Sequence, residues 1–481
     1  MQTAVSFVLD GRVVTVDFRA PGVRPTTTVL EYLRALPQHR GVKEGCAEGD
    51  CGACTVVLGE LSGGGMRHSA VDSCLMFLPM LHGKHLITVE NLKGADGSLH
   101  PVQQAMVQAH GSQCGFCTPG IVMSLFALYK NSTNVRDDEI RRALAGNLCR
   151  CTGYRPIIDA ALAACGPLRK DGGDYSSAAA LLRGIRKESL VIRTEGQLYH
   201  RPVTLEEALE VKRTRPDATV LNGATDVALR VTKKHELIPI LLDLSGIEAL
   251  RGAREEDRRG IIAAGTPIEE CAAFCRERFP AVAAMLEVFG SLQIRNLATV
   301  GGNLGTASPV GDLMPVLIAH GAEIELSSCR GVRRVPASEF VVGYRRTVAA
   351  DDELITAVVL PPVTPGTILK SYKVSRRRDL DIASVSGGFR LRLEGDNRID
   401  EVVLAFGGMA DRVRRAERAE AYLRGKTWER PVVEEAMRVL ESEFSPISDV
   451  RGSARMRRIV ARNLLLKFWD ETRANGGGSC R

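Results

Sequence analysis

The sequence predicts a multidomain α+β protein, on three observations. The chain has 481 residues, too many for one core and enough for three or four domains. Eight of its thirteen cysteines fall in the first 151 residues, in two tight groups with differently patterned surroundings. Beyond about residue 195, short apolar strands alternate with helical stretches, and two Gly-rich turns interrupt them.

Composition narrows the class. With 44% hydrophobic and 25% charged residues the chain reads as globular. The net charge of +7 is spread over 64 basic and 57 acidic residues, and no basic block is interleaved with aromatics, which argues against a nucleic-acid groove. No apolar run approaches the roughly eighteen residues of a membrane span. The N-terminus, MQTAVSFVLDGRVVTVDF, alternates apolar and polar residues around Asp10-Gly11, the pattern of a hairpin and not of a signal peptide. These readings lead us to expect a cytoplasmic protein with neither nucleic-acid nor membrane partners.

The first cysteine group is GCAEGDCGACTVV followed by VDSC. Four residues separate Cys46 from Cys51, two separate Cys51 from Cys54, and nineteen lead on to Cys74. This is the plant-type ferredoxin spacing for a [2Fe–2S] cluster, and zinc is its competitor. Gly45, Gly49 and Gly52 are expected to take positive φ values that turn amides toward the sulfurs. With the hairpin and the strand TVVL after Cys54, residues 1–85 read as a ferredoxin-like β-rich domain.

The second group pairs QCGFCTPG with GNLCRCTGYRP: Cys114 and Cys117, then thirty-one residues, then Cys149 and Cys151. The stretch between is helical, with Thr118 as cap, Pro119 at the first helical position and a second helix through DDEIRRAL to Gly146. Pro156 can open a third helix. Residues 86–165 are therefore a helical domain whose four thiolates suit either zinc or iron–sulfur, while a thioredoxin-like couple lacks its βαβ setting.

Residues 166–195 are polar and Gly-containing and read as a linker. In 196–365 the Gly-rich turns are LNGATD and ATVGGNLGTASPVGDL, candidate phosphate cradles or plain turns. No G-x-G-x-x-G follows a strand, and GKT at 425–427 lacks the first P-loop glycine because position 420 is Glu, so any nucleotide fold here is not Rossmann. Residues 366–475 continue with strands around ASVSGGFRLRL and EVVLAFGGM and then helices. The tail 476–481, with Cys480, is expected to be disordered. Cys271 and Cys275 fit core packing on one helix face better than a metal.

GCAEGDCGACTV, QCGFCTPG and GNLCRCTGYRP together resemble the two [2Fe–2S] domains of the molybdenum hydroxylases, the family of xanthine dehydrogenase, aldehyde oxidase and CO dehydrogenase. The likeness continues through NGATD, SLQIRNLATVGGNLGTASPVGDLMPV, GYRRT, YKVSRRRDLDIASVSGG and FGGMADR, nearly the whole chain. It implies a four-helix-type second [2Fe–2S] domain with Arg150 lending positive charge, then an FAD-binding domain of the flavoprotein type of this family, then a C-terminal flavoprotein domain.

Carried over residue by residue, it implies a first FAD loop of Val220, Leu221, Asn222, Gly223, Ala224, Thr225, Asp226 and Val227. A second loop would comprise Ala298, Thr299, Gly302, Asn303 and Thr306, closed by Asp312. Phe289 would pack over the isoalloxazine, although a core aromatic is the alternative. Leu354, Ile355 and Lys373 would be later flavin contacts. The family often has Asn or Gly where Ala224 stands, and the arginine-rich loop at 376–378 carries an extra residue.

The resemblance implies an electron-transfer subunit, likened to the small subunit of the xanthine dehydrogenase branch. Electrons would pass from a molybdopterin-carrying large subunit through both clusters to FAD and on to NAD⁺, in a heterotetramer of two small and two large subunits, as xanthine becomes urate. Sister enzymes acting on an aldehyde or heteroaromatic, a stand-alone diaphorase and a redox sensor are the competing readings.

Overall fold

Asp10 and Gly11 turn the chain back on itself at φ 48° and 82°, so that Ala4–Leu9 and Arg12–Asp17 pair with Leu9 opposite Arg12. Positive φ at both central residues is what a two-residue turn between right-twisted strands demands. The computed structural model of the chain describes residues 4–63, 65–132, 134–166 and 176–473. Cys480, the tail 476–481 and positions 167–175 of the predicted linker lie outside the described residues. The chain divides into two compact units, Met1–Ala249 with Gly290–Thr299, and Leu250–Phe289 with Val300–Arg481.

In the first unit the hairpin joins a five-stranded sheet, in the order Arg12–Asp17, Ala4–Leu9, His85–Ile87, Thr55–Ser62, Gly65–Asp72. Ala4–Leu9 runs parallel to His85–Ile87, and the helix Val29–Ala35 buries Val29, Leu30 and Leu33 in the core with Phe7, Val56 and Leu58. The helical module follows as Pro101–Gln108, Thr118–Asn131, Asp137–Leu144 and Arg155–Cys165, around Met123, Phe126, Ile140 and Ile157. A smaller sheet completes the unit: Leu190–Thr194, Gln197–Arg201, Ile240–Asp243 and Thr219–Leu221, with both pairings to Ile240–Asp243 parallel.

The second unit holds an antiparallel sheet ordered Ala253–Glu256, Arg259–Ala263, Leu354–Leu360, Glu323–Ser328, Gly331–Pro336. A second antiparallel sheet runs Thr367–Val374, Val385–Leu393, Ile399–Gly407, Arg414–Arg415, backed by helices Arg430–Glu441 and Ala454–Thr472. Phe389, Phe406, Trp428 and Phe468 form its core. The predicted multidomain α+β class is thus what the chain adopts: a ferredoxin-like module, a four-helix module, and α+β modules after them.

Three local expectations are corrected. Thr118 is not the cap of its helix: Cys117 occupies that position in αR geometry with no side-chain cap bond, Pro119 stands at the second position, and the Thr118 hydroxyl meets Ser112 Oγ at 2.7 Å. The helix through DDEIRRAL ends at Leu144, two residues before Gly146. Within 166–195 the chain also forms the helix Ser176–Arg183, anchored by buried Ala178 and Leu182, and the strand Leu190–Thr194. Among the described residues no helix is long and apolar enough to cross a membrane.

Candidate functional site

The loop before Thr55–Ser62 gathers the first four cysteines in pairs. Cys54 Sγ lies 3.4 Å from Cys74 Sγ, and the Cys46 and Cys51 thiols share a hydrogen bond. Cys74 reaches the site from the short 3₁₀ turn Ser73–Leu75, at the end of the neighbouring strand. Amides turn inward as predicted: Glu48 N–H and Asp50 N–H donate to Cys46 Sγ at 3.4 and 3.2 Å. Gly49 and Gly52 have φ of 82° and 64°, and Ala47 joins them at 55°. Gly45 does not adopt positive φ; its reason is steric, since a Cβ there would stand 2.7 Å from Cys51 Sγ.

Electrostatics follow the pairing. The Cys51 thiol and three inward amides hold Cys46 down to about 5, whereas Cys51, sharing its proton with Cys46, is pushed up. Cys54 and Cys74 are 2% and 1% exposed, beside the fully buried Asp72. One thiolate is thus favoured at the outer pair. At the inner pair the hydrogen bond to Cys74 and burial push Cys54 up, and for Cys74 the downward pull of its hydrogen bond from Cys54 is outweighed by burial beside Asp72.

The second group is paired likewise. Cys114 shares a hydrogen bond with Cys151, and Cys117 with Cys149. Cys114 and Cys117 lead into Thr118–Asn131, and Cys149 and Cys151 lie in the loop between Asp137–Leu144 and Arg155–Cys165. Burial and Cys149 push Cys117 up to about 12, while for Cys149 the upward push of burial is outweighed by the Thr152 hydroxyl and nearby amides. Tyr154 Oη accepts from the Cys149 N–H at 2.8 Å. Arg150 is exposed beside them.

Among the described residues no three His, Cys, Asp or Glu side chains converge as a single ion would need. The thiols come as two pairs in each group, an arrangement that a diiron centre taking two sulfurs per iron can use. The donor set, all thiolate with amides aimed at sulfur, fits the same group.

The flavin candidates fall in both units. In the first, Val220 and Leu221 end a strand, and Asn222, Gly223, Ala224, Thr225 and Asp226 turn the chain into the helix Val227–Thr232. Ala298 and Thr299 belong to this unit, and the preceding Leu297 carbonyl approaches Gly223 so closely that a Cβ there would stand 1.8 Å from it. Ala224 has φ 61°, the conformation that makes Asn or Gly the easier residue. In the second unit, Gly302, Asn303 and Thr306 lie on Val300–Thr306, where Thr306 Oγ1 donates to the Gly302 carbonyl at 3.0 Å. Leu354 and Ile355 open the strand Leu354–Leu360, and half-buried Phe289 follows the helix Pro280–Glu287. Lys373 Nζ bonds Asp312 Oδ2, and the buried Asp312 Oδ1 has no hydrogen-bond partner, an acceptor that a hydroxyl or amide of a ligand could satisfy. A cleft of about 430 Å³ is lined by Ala284, Val288, Lys373, Arg377 and Arg378.

Cys271 and Cys275 are buried with sulfurs 4.0 Å apart, as core residues. Sequence reasoning missed Ser124, Asn147 and Gln293, which interlock against the Cys51–Gly52 segment; Asn147 stands within the second cysteine motif, whereas Ser124 and Gln293 carry no local signal.

Four family models match in succession. A 2Fe-2S iron-sulfur cluster binding domain matches residues 12–76, a [2Fe-2S] binding domain 88–162, the FAD binding domain in molybdopterin dehydrogenase 192–363, and the CO dehydrogenase flavoprotein C-terminal domain 370–472. Xanthine dehydrogenase of Emericella nidulans is 33% identical over 97% of this chain and 38% of its own length. Xanthine dehydrogenase 1 of Arabidopsis thaliana is 32% identical over 94% of this chain and 39% of its own. The chain therefore spans about two-fifths of these relatives. Among solved structures, the CO dehydrogenase of Hydrogenophaga pseudoflava lacking the Mo-pyranopterin moiety is 27% identical, with a TM-score of 0.54 over 56% of this chain and 94% of that one. Reconstituted CO dehydrogenase from Oligotropha carboxidovorans is 26% identical, at 0.53 over 57% and 96%. With these relatives and matches running from residue 12 to 472, the chain belongs to the molybdenum hydroxylase family, of which it carries the two [2Fe–2S] modules, the FAD-binding module and the C-terminal flavoprotein module.

Proposed function

We infer that this chain is the electron-transfer part of a xanthine-oxidising dehydrogenase, taking electrons from a molybdopterin-bearing partner and delivering them to NAD⁺. The observation that carries the reading is the assembly of eight cysteines into two sites of paired thiols, followed in the chain by FAD-binding and flavoprotein modules. Bound there, the clusters supply one-electron relay and FAD supplies the conversion to a two-electron outlet suited to nicotinamide. Cys46, Cys51, Cys54 and Cys74 would hold the first cluster, and Cys114, Cys117, Cys149 and Cys151 the second. The two loops at 220–227 and 298–312 would hold FAD, together with Phe289, Leu354, Ile355 and Lys373.

The partner and the direction of flow have their own support. Cys114 and Cys151 are exposed beside the exposed apolar Phe116 and Leu148, although Cys149 is buried, whereas none of the first four cysteines is exposed: Cys46 and Cys51 are half-buried and Cys54 and Cys74 buried. The second site is the one open to another polypeptide, here a molybdenum large subunit in an assembly of two small and two large chains. Substrate choice follows the relatives, which are named xanthine dehydrogenases. The CO dehydrogenase structures favour a second reading, a sister hydroxylase with the same electron path and another substrate.

The test is purification with the natural partner, counting of metals and flavin, and an assay with xanthine and NAD⁺. We expect about four irons per chain from two [2Fe–2S] centres, together with bound FAD and urate and NADH as products. Iron and FAD without xanthine turnover would transfer the reading to the sister enzymes; a purified chain carrying zinc would end both.

A further inference from the structure

The segment Gly146-Asn147-Leu148-Cys149 lies directly against Cys51-Gly52. The Leu148 N–H donates to the Cys51 carbonyl at 3.0 Å, and Asn147 Nδ2 donates to the Gly52 carbonyl at 3.0 Å and to Thr55 Oγ1 at 3.1 Å. Glycines make the approach possible. A Cβ on Gly52 would stand 2.2 Å from the Gly146 carbonyl oxygen, and one on Gly120 would stand 2.1 Å from that of Gly52.

Asn147 is itself held from behind. Ser124 Oγ donates to its Oδ1 at 2.6 Å, and Gln293 Nε2 reaches the same oxygen at 3.0 Å, Ser124 Oγ at 2.9 Å and the Ala143 carbonyl at 2.9 Å. Asn147, Ser124 and Gln293 are 2%, 1% and 0% exposed. A buried, interlocked amide network of this kind fixes geometry because each member would lose its partners by moving. What it fixes is a contact between two cysteine loops: the acceptor is the carbonyl of Cys51 itself, and the donor is the residue next to Cys149.

We propose that Asn147, braced by Gln293 and Ser124, is the positioning residue for electron transfer between the two cysteine sites, keeping closed the Leu148–Cys51 hydrogen bond along which the electron passes. From Cys149 Sγ to Cys51 Sγ the route is covalent except for that one hydrogen bond. With both centres bound, one electron would leave the second, oxidised by one, and enter the first, reduced by one, with no bond or proton changing hands. The assignment rests on both sites being [2Fe–2S] centres, as read above.

The test uses the full chain with Gln293→Met, which removes the brace while leaving every residue of both cysteine loops in place, and Asn147→Leu, which removes the clamp. Iron content, melting temperature and the electron paramagnetic resonance signals of both centres are compared with the unaltered chain. The rate at which one laser-delivered electron equilibrates between the centres is then followed. We expect both signals and full iron in the Gln293→Met chain, equilibration slowed several-fold, and a weaker spin–spin splitting when both centres are reduced. An unchanged rate with full iron overturns the proposal, and so does loss of iron in both variants, which would assign the network to cluster assembly. Failure of the underlying reading looks different: the unaltered chain would then lack two distinct signals.

Discussion

Lys373 Nζ stands 2.7 Å from Asp312 Oδ2 and 2.8 Å from the Val288 carbonyl, with the two paired side chains 3% and 8% exposed. Burial pushes the Asp312 carboxyl up and the Lys373 ammonium pulls it partly back. Lys373→Met leaves a carboxyl buried without its cation, and we expect a loss of about 3–5 kcal/mol of stability, measured by urea unfolding. Replacing both residues, Lys373→Met with Asp312→Leu, recovers most of it, because a buried pair is expensive mainly when halved.

Gly223 leaves no room for a side chain: an added Cβ would stand 1.8 Å from the Leu297 carbonyl oxygen. Gly223→Ala therefore forces the 220–227 turn away from the 297–299 segment, at a cost of about 1–3 kcal/mol as for other overpacked sites. The purified variant is expected to lose flavin while keeping its iron, so the flavin-to-iron ratio is the measurement.

The cysteines divide into proposed ligands and packing residues. Cys149→Ser is expected to lower iron from about four to about two per chain while the first centre keeps its signal. Cys271→Ala and Cys275→Ala retain all iron and lower stability by about 1–3 kcal/mol, the ordinary range for a core change. Loss of iron in either core variant would contradict this division.

Stability against pH carries two opposed contributions. Burial depresses His68, His85 and His100 to about 4; stability from these neutral rings is complete above about 6.5 and is lost as pH falls. Asp10 is pushed up to about 6 by burial, against the Thr88 amide and hydroxyl and His39, with Glu90 adding to the rise. Its contribution is therefore complete below about 4 and fades as pH rises through 6, an effect of roughly 2–3 kcal/mol. We expect net acid destabilisation below pH about 6.5. His85→Phe should flatten the pH profile of the melting temperature, and Asp10→Asn should steepen it between about 6 and 4.

Signals confined to a few neighbouring residues were legible in the sequence. Asp10-Gly11 specified its turn by φ preference, and the spacing of the first cysteine group specified a Gly-rich loop; which thiols pair within a group, as Cys54 with Cys74 and Cys117 with Cys149, the spacing left open. Thr118 misled because cap preference describes a side chain competing for an amide, and its hydroxyl found Ser112 instead. The helix Ser176–Arg183 escaped notice because only Ala178 and Leu182 are buried, too little apolar pattern to register. Gln293 was invisible for a deeper reason. Its partners Ser124 and Asn147 lie 169 and 146 positions away, and a polar side chain gives no periodic sign of burial.

Residues 290–299 belong to the first unit although the chain on both sides of them belongs to the second. On the ribosome this delays completion. Gln293 and Asn296, whose amides reach Asn147 Oδ1 and the Ala70 carbonyl, emerge only after the forty residues Leu250–Phe289 have been made, a wait of roughly 2–8 s at about 5–20 residues per second. Throughout that interval the nascent chain presents both cysteine loops without the strut that later clasps them.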